Sequence, residues 1–509
     1  MNIKKVCNNL IQSNNMHNPG PFPEDSSNPG PVDLAILHVN DIHGTLSPFP
    51  EPRISTETLV GGASNLKSAI DEEKSKNPEG TLLLNAGDLI HGAYKADKTL
   101  GMAAVDASNP MGFDAMVLGN HEFYWGTYAL RTIMSKIKAP VVAANVIEGK
   151  SREVMKGAQP YVIRKVRGVP VGIVGINTDK ATRQTPPHLL DGIEVLDAIE
   201  TLEDTIPKIK KDGAEVLVIL SHLGFNGDVK IAQHFKNESL LIVGGHSHTL
   251  LPQGHREGNS FIVQAGNRGM NLGKLEFQYN REKKEILNPR ARLIPILDSQ
   301  YPRDPDIEKI LNRYRKALKQ SGGSDPMGHA AQVLDYSNNS GSGKLNQIVA
   351  DSIKATAKTD VALASCMAVQ QAHPSGPATR QSLYDIMPYD DWKIVTYRVT
   401  GAKLKELVEF GLRDGVKIFV PSGFRYDYAP DQPQGNRVTN MTATDGNPID
   451  DKKIYSLGVQ NYMAGLPPLK DLPGQTHAGP LQDGFFQYFK DNCPSGGWKN
   501  DPDARIQRA

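Results

Sequence analysis

Five times between Leu34 and Arg268 the chain runs through a short, nearly continuous apolar stretch and then into a turn loaded with metal-competent residues. LAILHV leads into NDIHG, TLLLN into AGDLIHG, AMVLG into NHEF, VLVIL into SHLG and LLIV into GGHSHT. Runs of Val, Ile and Leu without alternation read as strands buried on both faces. The Lys/Glu-rich stretches between them read as helices that cover those faces. The pattern predicts a layered α/β architecture with its ligands at strand ends.

The five turns hold Asp41, His43, Asp88, Asn120, His121, His222, His246 and His248, all nitrogen or oxygen donors, and no cysteine. Two divalent cations need about seven protein donors, one of them a bridging carboxylate, and imidazole with carboxylate suits Zn, Mn, Fe or Co rather than Ca. A lone His beside an apolar strand is ordinarily a satisfied core or surface residue. Five such clusters in one stretch make a two-metal site the stronger reading. His91, just past the second cluster, is assigned an outer role or none.

At about 150 residues per domain, the 509 residues suggest three domains or two large ones. Lys+Arg 57 against Asp+Glu 56 leaves a charge of +1, which gives no general bias toward polyanions, so nucleic acid is not an expected partner. A mean hydropathy of -0.40 and no apolar run near ~18 residues argue against a membrane span. Cys7, Cys366 and Cys493 are odd in number and lack C-x-x-C spacing, so neither a disulfide framework nor a thiolate zinc site is expected. Cys366 and Cys493 would pair only if the fold brought them together.

The first 33 residues carry Lys4 and Lys5 but no apolar segment behind them, unlike a signal peptide. Rich in Asn, Pro, Gly and Ser, they read as a disordered tail. Farther on, Asp304-Pro305 resembles an N-cap and first helical residue, with Ile307, Ile310, Leu311, Tyr314 and Leu318 at helical spacing. This predicts a linker helix within 299–328, closed by Gly322 and Gly323, between a domain at 34–298 and another at 329–509.

In order and spacing, NDIHG, GDLIHG, GNHEF, SHLG and GGHSHT resemble the successive motifs of calcineurin-like metallophosphoesterases, and in detail those of the 5′-nucleotidase family. The resemblance covers nearly everything after residue 33. It implies a four-layer α/β/β/α sandwich followed by a C-terminal α/β substrate-binding domain, with a phosphate ester hydrolysed in a cleft between them. Residue by residue, it makes Asp41, His43 and His248 ligands of one metal, Asn120, His222 and His246 ligands of the other, and Asp88 the bridge. His121 becomes the catalytic residue beside the metals, where hydroxide attacks phosphorus in line.

Two departures bear on substrate. The family usually reads G-N-H-E-F-D, its Asp orienting the catalytic His, whereas this chain has Tyr124 at that position. The second domain follows the family in outline, but where N-G-G-G-I-R is typical this chain has Ser365-Cys366-Met367-Ala368-Val369-Gln370. An always-charged bidentate donor is thereby replaced by an amide. The family's G-G-D-G-F loop becomes YMAGLPPLKDL, and Ile418 with adjacent Phe419 stands where a base-stacking ring is usual. Phe419, Gln370 and Tyr389, the last in the cluster Tyr389-Asp390-Asp391-Trp392, are the candidate substrate contacts.

These features imply a small-molecule phosphoester partner, most simply a nucleotide. A 2′,3′-cyclic nucleotide or non-nucleotide ester is the alternative, and a metal-retaining binding protein without turnover is a further one. The resemblance implies periplasm or cell surface, the missing signal peptide implies cytoplasm, and both stay open, as does the oligomeric state.

Overall fold

The structure is a computed structural model that describes residues 30–178, 187–190, 192–337, 340–414, 418–472, 476–493 and 505–508. Most of the expected N-terminal tail, with Cys7, lies outside the described residues. The chain divides into two units: one runs to Ala317, the other starts at Leu318, and Phe49–Thr56 is grouped with the second.

In the first unit the strands are β1 (Val32–Val39), β2 (Thr81–Asn85), β3 (Ala115–Val117), β4 (Val141–Val142), β5 (Tyr161–Val166) and β6 (Val169–Asn177). They continue as β7 (Val216–His222), β8 (Leu240–Gly244), β9 (His255–Glu257), β10 (Ser260–Val263), β11 (Asn271–Asn280) and β12 (Glu285–Pro295). One six-stranded sheet has the order β12-β11-β1-β2-β3-β4 and the other β9-β10-β8-β7-β6-β5. The central pairs β1/β2, β2/β3, β6/β7 and β7/β8 are parallel.

Neighbouring residues on a strand point to opposite faces, and the cores separate accordingly. Leu34, Ile36, Leu82 and Leu84 of the first sheet share a core with Val171, Val218 and Val243 of the second. On the outer face of the first sheet, Leu37, Val39 and Leu83 pack with Leu66 and Ile70 of helix α1 (Ala63–Ser75). On the outer face of the second, Ile219 and Ile242 pack with Leu202, Ile206 and Ile209 of α2 (Ala198–Lys211). The result is helices, sheet, sheet, helices. The apolar runs are buried on both faces as expected, but helices cover only one face of each sheet and the partner sheet covers the other.

The helix read as a linker, α3 (Pro305–Ala317), belongs to the first unit. Ile307 and Leu311 join the core of α1, and Tyr314 donates its hydroxyl to Asp106 Oδ2 at 2.6 Å.

In the second unit, β13 (Val361–Ser365), β14 (Lys393–Thr400), β15 (Phe419–Ser422), β16 (Ile454–Gln460) and β17 (Thr476–Pro480) form a sheet of order β15-β13-β16-β14-β17. Helix α4 (Lys344–Ala357) packs on it with Leu345, Ile348 and Val349 buried. Helix α5 (Gly401–Gly411) starts where Thr400 Oγ1 accepts from Lys403 N and buries Leu404, Leu407 and Val408. Cys366 and Cys493 are both buried and form no disulfide with each other. No helix among the described residues is long and apolar enough to cross a membrane.

Candidate metal centre

Parallel strands whose carboxyl ends share an edge gather the loops that follow them, and here five loops meet. Asp41 and His43 follow β1, Asp88 and His91 follow β2, Asn120 and His121 follow β3, His222 ends β7, and His246 and His248 follow β8. Three groups have ligand atoms within 4.8 Å of one another: Asp41, His43 and His248; His43, Asp88 and His121; Asp88, His222 and His246. Asn120 joins the last, its Oδ1 2.9 Å from His246 Nδ1. All eight donors expected from the sequence therefore lie in one place.

The backbone holds them under constraint. Asp41 (φ 52°), His43 (49°), Asp88 (53°), His246 (71°) and His248 (55°) all take the left-handed conformation, which costs a residue with a Cβ roughly 1–2 kcal/mol. Loop-to-loop hydrogen bonds offset this. Asp41 N donates to Gly87 O at 2.9 Å, His43 N to Asp88 O at 2.8 Å, and Arg268 N to Asp41 O at 2.7 Å. His246 N reaches the Asp41 carboxylate at 2.9 and 3.1 Å. His121 N donates to Asp88 Oδ1 at 2.8 Å.

Beneath the site lies Glu122, 1% exposed. Its Oε2 accepts from Asp88 N (2.9 Å) and Gly119 N (2.6 Å), and its Oε1 from Leu89 N (2.8 Å). One carboxylate thus ties the loop after β2 to the loop after β3. Burial, with the nearby Asp88 charge, pushes its pKa up to about 7 against the pull of those amides. Glu122 stands inside the GNHEF motif, yet the sequence offers it no partner, because its partners are backbone amides of another loop. The only sequence signal is a charged residue with no counter-charge nearby. Asn267, whose Nδ2 lies 3.0 Å from His248 Nδ1, carries no such signal.

The donor set fits divalent metal. His222 lies 2.6 Å through Nδ1 from the carbonyl of Ala86, so Nδ1 carries a proton and Nε2 faces Asp88 Oδ2 at 3.1 Å. That Nε2 is buried and makes no hydrogen bond. His43 likewise gives Nδ1–H to His91 O at 3.1 Å, turning Nε2 toward His248 Nε2 at 3.0 Å and Asp88 Oδ2 at 3.9 Å. A ring N–H fixed on a carbonyl with the other nitrogen aimed inward is the usual posture of a metal-ligating histidine. Nitrogen and carboxylate groups facing one another in a buried site need a shared proton or a metal cation between them.

The electrostatics show how strongly the carboxylates of the site attract positive charge. Burial alone would lower the His222 pKa, but Asp88 and Asp41 overcome it and push it up to about 10. Burial would raise Asp88, but His222, His121 and His43 hold it well below the carboxylate range. Burial and the neighbouring His121 keep His43 well below 6.5, and burial also lowers His121 against the pull of Asp88.

The candidate substrate residues of the second unit are placed differently. Phe419 is 2% exposed and packs in the unit's core beside Phe410. Gln370 is buried, and its Nε2 donates to Met367 O and Tyr389 Oη, both at 2.7 Å. Tyr389 stacks on Trp392 at 4.0 Å, and Trp392 lies parallel to the exposed Tyr462 at 6.0 Å.

Comparison with known proteins shows two family matches in chain order: calcineurin-like phosphoesterase over residues 34–250 and 5′-nucleotidase, C-terminal domain, over residues 326–467. This chain belongs to the 5′-nucleotidase family. Calcineurin-like phosphoesterases use divalent metals, and the donor clusters of this 5′-nucleotidase family member lie inside the matched region. Among curated relatives, the endonuclease YhcR of Bacillus subtilis (strain 168) is 28% identical, over 85% of this chain and 37% of the relative. The trifunctional nucleotide phosphoesterase protein YfkN of the same organism is 26% identical, over 86% of this chain and 32% of the relative. The chain spans about a third of the length of each. The 5′-nucleotidase precursor of Thermus thermophilus superposes with a TM-score of 0.77 over 94% of this chain and 99% of that one, at 24% identity, which shows the shared two-domain α/β fold.

Proposed function

We propose that this chain is a metal-dependent phosphoric ester hydrolase acting on a nucleotide, with two divalent cations at the loop cluster. Asp41, His43 and His248 would hold one, Asn120, His222 and His246 the other, and Asp88 both. Zn, Mn, Fe or Co suits these donors. The observation that carries the reading is the convergence of three donor groups, each with ligand atoms within 4.8 Å of one another and linked through His43 and Asp88.

Bound cations supply Lewis-acid polarisation of the phosphoryl group and water of lowered pKa. The chain's residues do the rest. His121 shares a donor group with His43 and Asp88, its ring centroid 4.6 Å from that of His43, and stands outside the two sets assigned above. It is free to steady charge on the phosphoryl oxygens or to hold a proton for the leaving oxygen. Glu122 and the loop-to-loop hydrogen bonds hold the donors in position, so little reorganisation accompanies charge build-up.

A nucleotide is supported by relatives named for nucleotide phosphoester chemistry. A 2′,3′-cyclic nucleotide or a non-nucleotide ester is the second reading. It is favoured by Phe419, which is buried in its core, and by Gln370, whose amide is already bonded within its own unit. The test is phosphate release from 5′-AMP, a 2′,3′-cyclic nucleotide and an aryl phosphate by protein loaded with Mn or Zn, beside Asp88→Asn. AMP cleavage with a dead control supports the first reading, and cleavage of the other esters alone supports the second. No release from any ester leaves a metal-binding protein without turnover.

A further inference from the structure

His121 needs a partner that fixes its ring, and position 124, where the family resemblance would place a carboxylate, holds Tyr. The partner comes from the other loop. His91 Nδ1 lies 2.6 Å from His121 Nδ1, a contact that is favourable only if one ring donates and the other accepts. His91 is 1% exposed and walled on several sides. Tyr124 stacks on it at 3.6 Å and 20°, and Trp125 meets it edge-on at 5.4 Å and 82°. Its own carbonyl accepts from His43 Nδ1.

Asp97 is the carboxylate facing the other ring nitrogen of His91, which is buried and makes no hydrogen bond. Its Oδ2 lies 3.9 Å from His91 Nε2, while its Oδ1 accepts from Gly92 N at 3.0 Å. A negative charge on that side favours the tautomer with N–H at Nε2, which leaves Nδ1 as a lone pair. His121 must then donate its Nδ1–H, and its Nε2 becomes the basic nitrogen at the far side of the ring.

We propose that His91 is the positioning residue of His121: it accepts the His121 Nδ1–H and thereby fixes that ring's tautomer and rotation. Tyr124 acts one step removed, as the plate that holds His91 in plane. In its effect on turnover this rests on the reading of His121 given above, whereas the tautomer itself does not. A neutral imidazole also differs from a carboxylate in bringing no charge, so orientation is supplied without charge assistance.

Two full-length variants separate the roles. His91→Asn places an amide oxygen near the Nδ1 position and loses the ring, whereas His91→Phe keeps the stack on Tyr124 and loses the acceptor. With ¹⁵N-histidine labelling, the wild type is expected to show a strongly downfield proton on His121 Nδ1. It should be absent in His121→Ala and His91→Phe and present in His91→Asn. With p-nitrophenyl phosphate and Mn, His91→Phe is expected to lower kcat about 10–100-fold, the range for removing an orienting partner, with KM and bound Mn per chain unchanged. His91→Asn should retain most of kcat. Survival of the downfield proton in His91→Phe, equal kcat losses in the two variants, or bound Mn falling with kcat would each overturn the proposal. If the wild type cleaves no ester, the hydrolase reading fails while the proton signal still decides the tautomer.

Discussion

Replacing Glu122 with Gln changes one oxygen to an amide and leaves shape nearly untouched, so its consequence can be worked from three hydrogen bonds. The carboxylate accepts two backbone amides at Oε2 and one at Oε1. The Gln side chain will turn its remaining oxygen to the side that serves Asp88 N and Gly119 N. Its NH₂ then faces the Leu89 amide, donor against donor. A buried amide left unpaired costs about 1–3 kcal/mol, and hydrogen bonds to a neutral acceptor are roughly half as strong as those to a carboxylate. A local loss of about 1.4–2.8 kcal/mol corresponds to about 10–100-fold faster exchange where local opening governs exchange. Hydrogen exchange on the metal-free protein is the assay: protection should fall most at Leu89, less at Asp88 and Gly119, and not at Leu83 within β2. Unchanged protection at Leu89, or a uniform loss reaching Leu83, would refute the picture of Glu122 as a local tie between two loops.

Stripping the metal with a chelator should lower the unfolding temperature, and titrating Mn back should restore it, since a ligand at 100 times its Kd stabilises by about 2.7 kcal/mol per site. A melting curve indifferent to Mn would count against the metal centre. Gly119→Ala should abolish activity, because a Cβ there would fall within the Asp88 carboxylate; full activity in that variant would contradict the loop geometry. Burial pushes Asp228, which accepts from Ser221 Oγ, up to about 8 from 3.8. The folded state therefore holds a proton that the unfolded state has lost, and stability falls as pH rises from about 4 to 8, at up to 1.36 kcal/mol per unit. Asp228→Asn should flatten that slope in urea unfolding measured across the window, and an unchanged slope would assign it to other groups.

The strands of the first unit were legible because an apolar run is demanded by burial on both faces, whatever does the burying. For the same reason the apolar pattern alone did not reveal the second sheet, which came only from the family resemblance: Ile36 faces β7 while Leu37 faces α1, and both positions ask for the same kind of side chain. The eight donors could be read because each lies at or just past a parallel strand's end, where the fold delivers it to a common edge. His91 and Glu122 could not, since their roles depend on β2 and β3 lying side by side, which brings residue 91 to 121 and residue 122 to 88. In the second unit the helix signal after Thr400 was plain, but the fate of Phe419 was not, because a ring in a core and a ring facing a ligand look alike in one dimension.

The left-handed backbone at Asp41, His43, Asp88, His246 and His248 has a consequence for how such a chain ages. At each of these positions glycine would relieve strain, but at Asp41 and Asp88 it would also remove the carboxylates that accept from His246 N and His121 N. Selection for chemistry and selection for an unstrained backbone therefore pull in opposite directions most plainly at His43, His246 and His248. A descendant released from chemical duty is expected to drift toward glycine there while its sheets and helices stay as they are. Glycine at those positions in a relative would then mark a centre no longer in use.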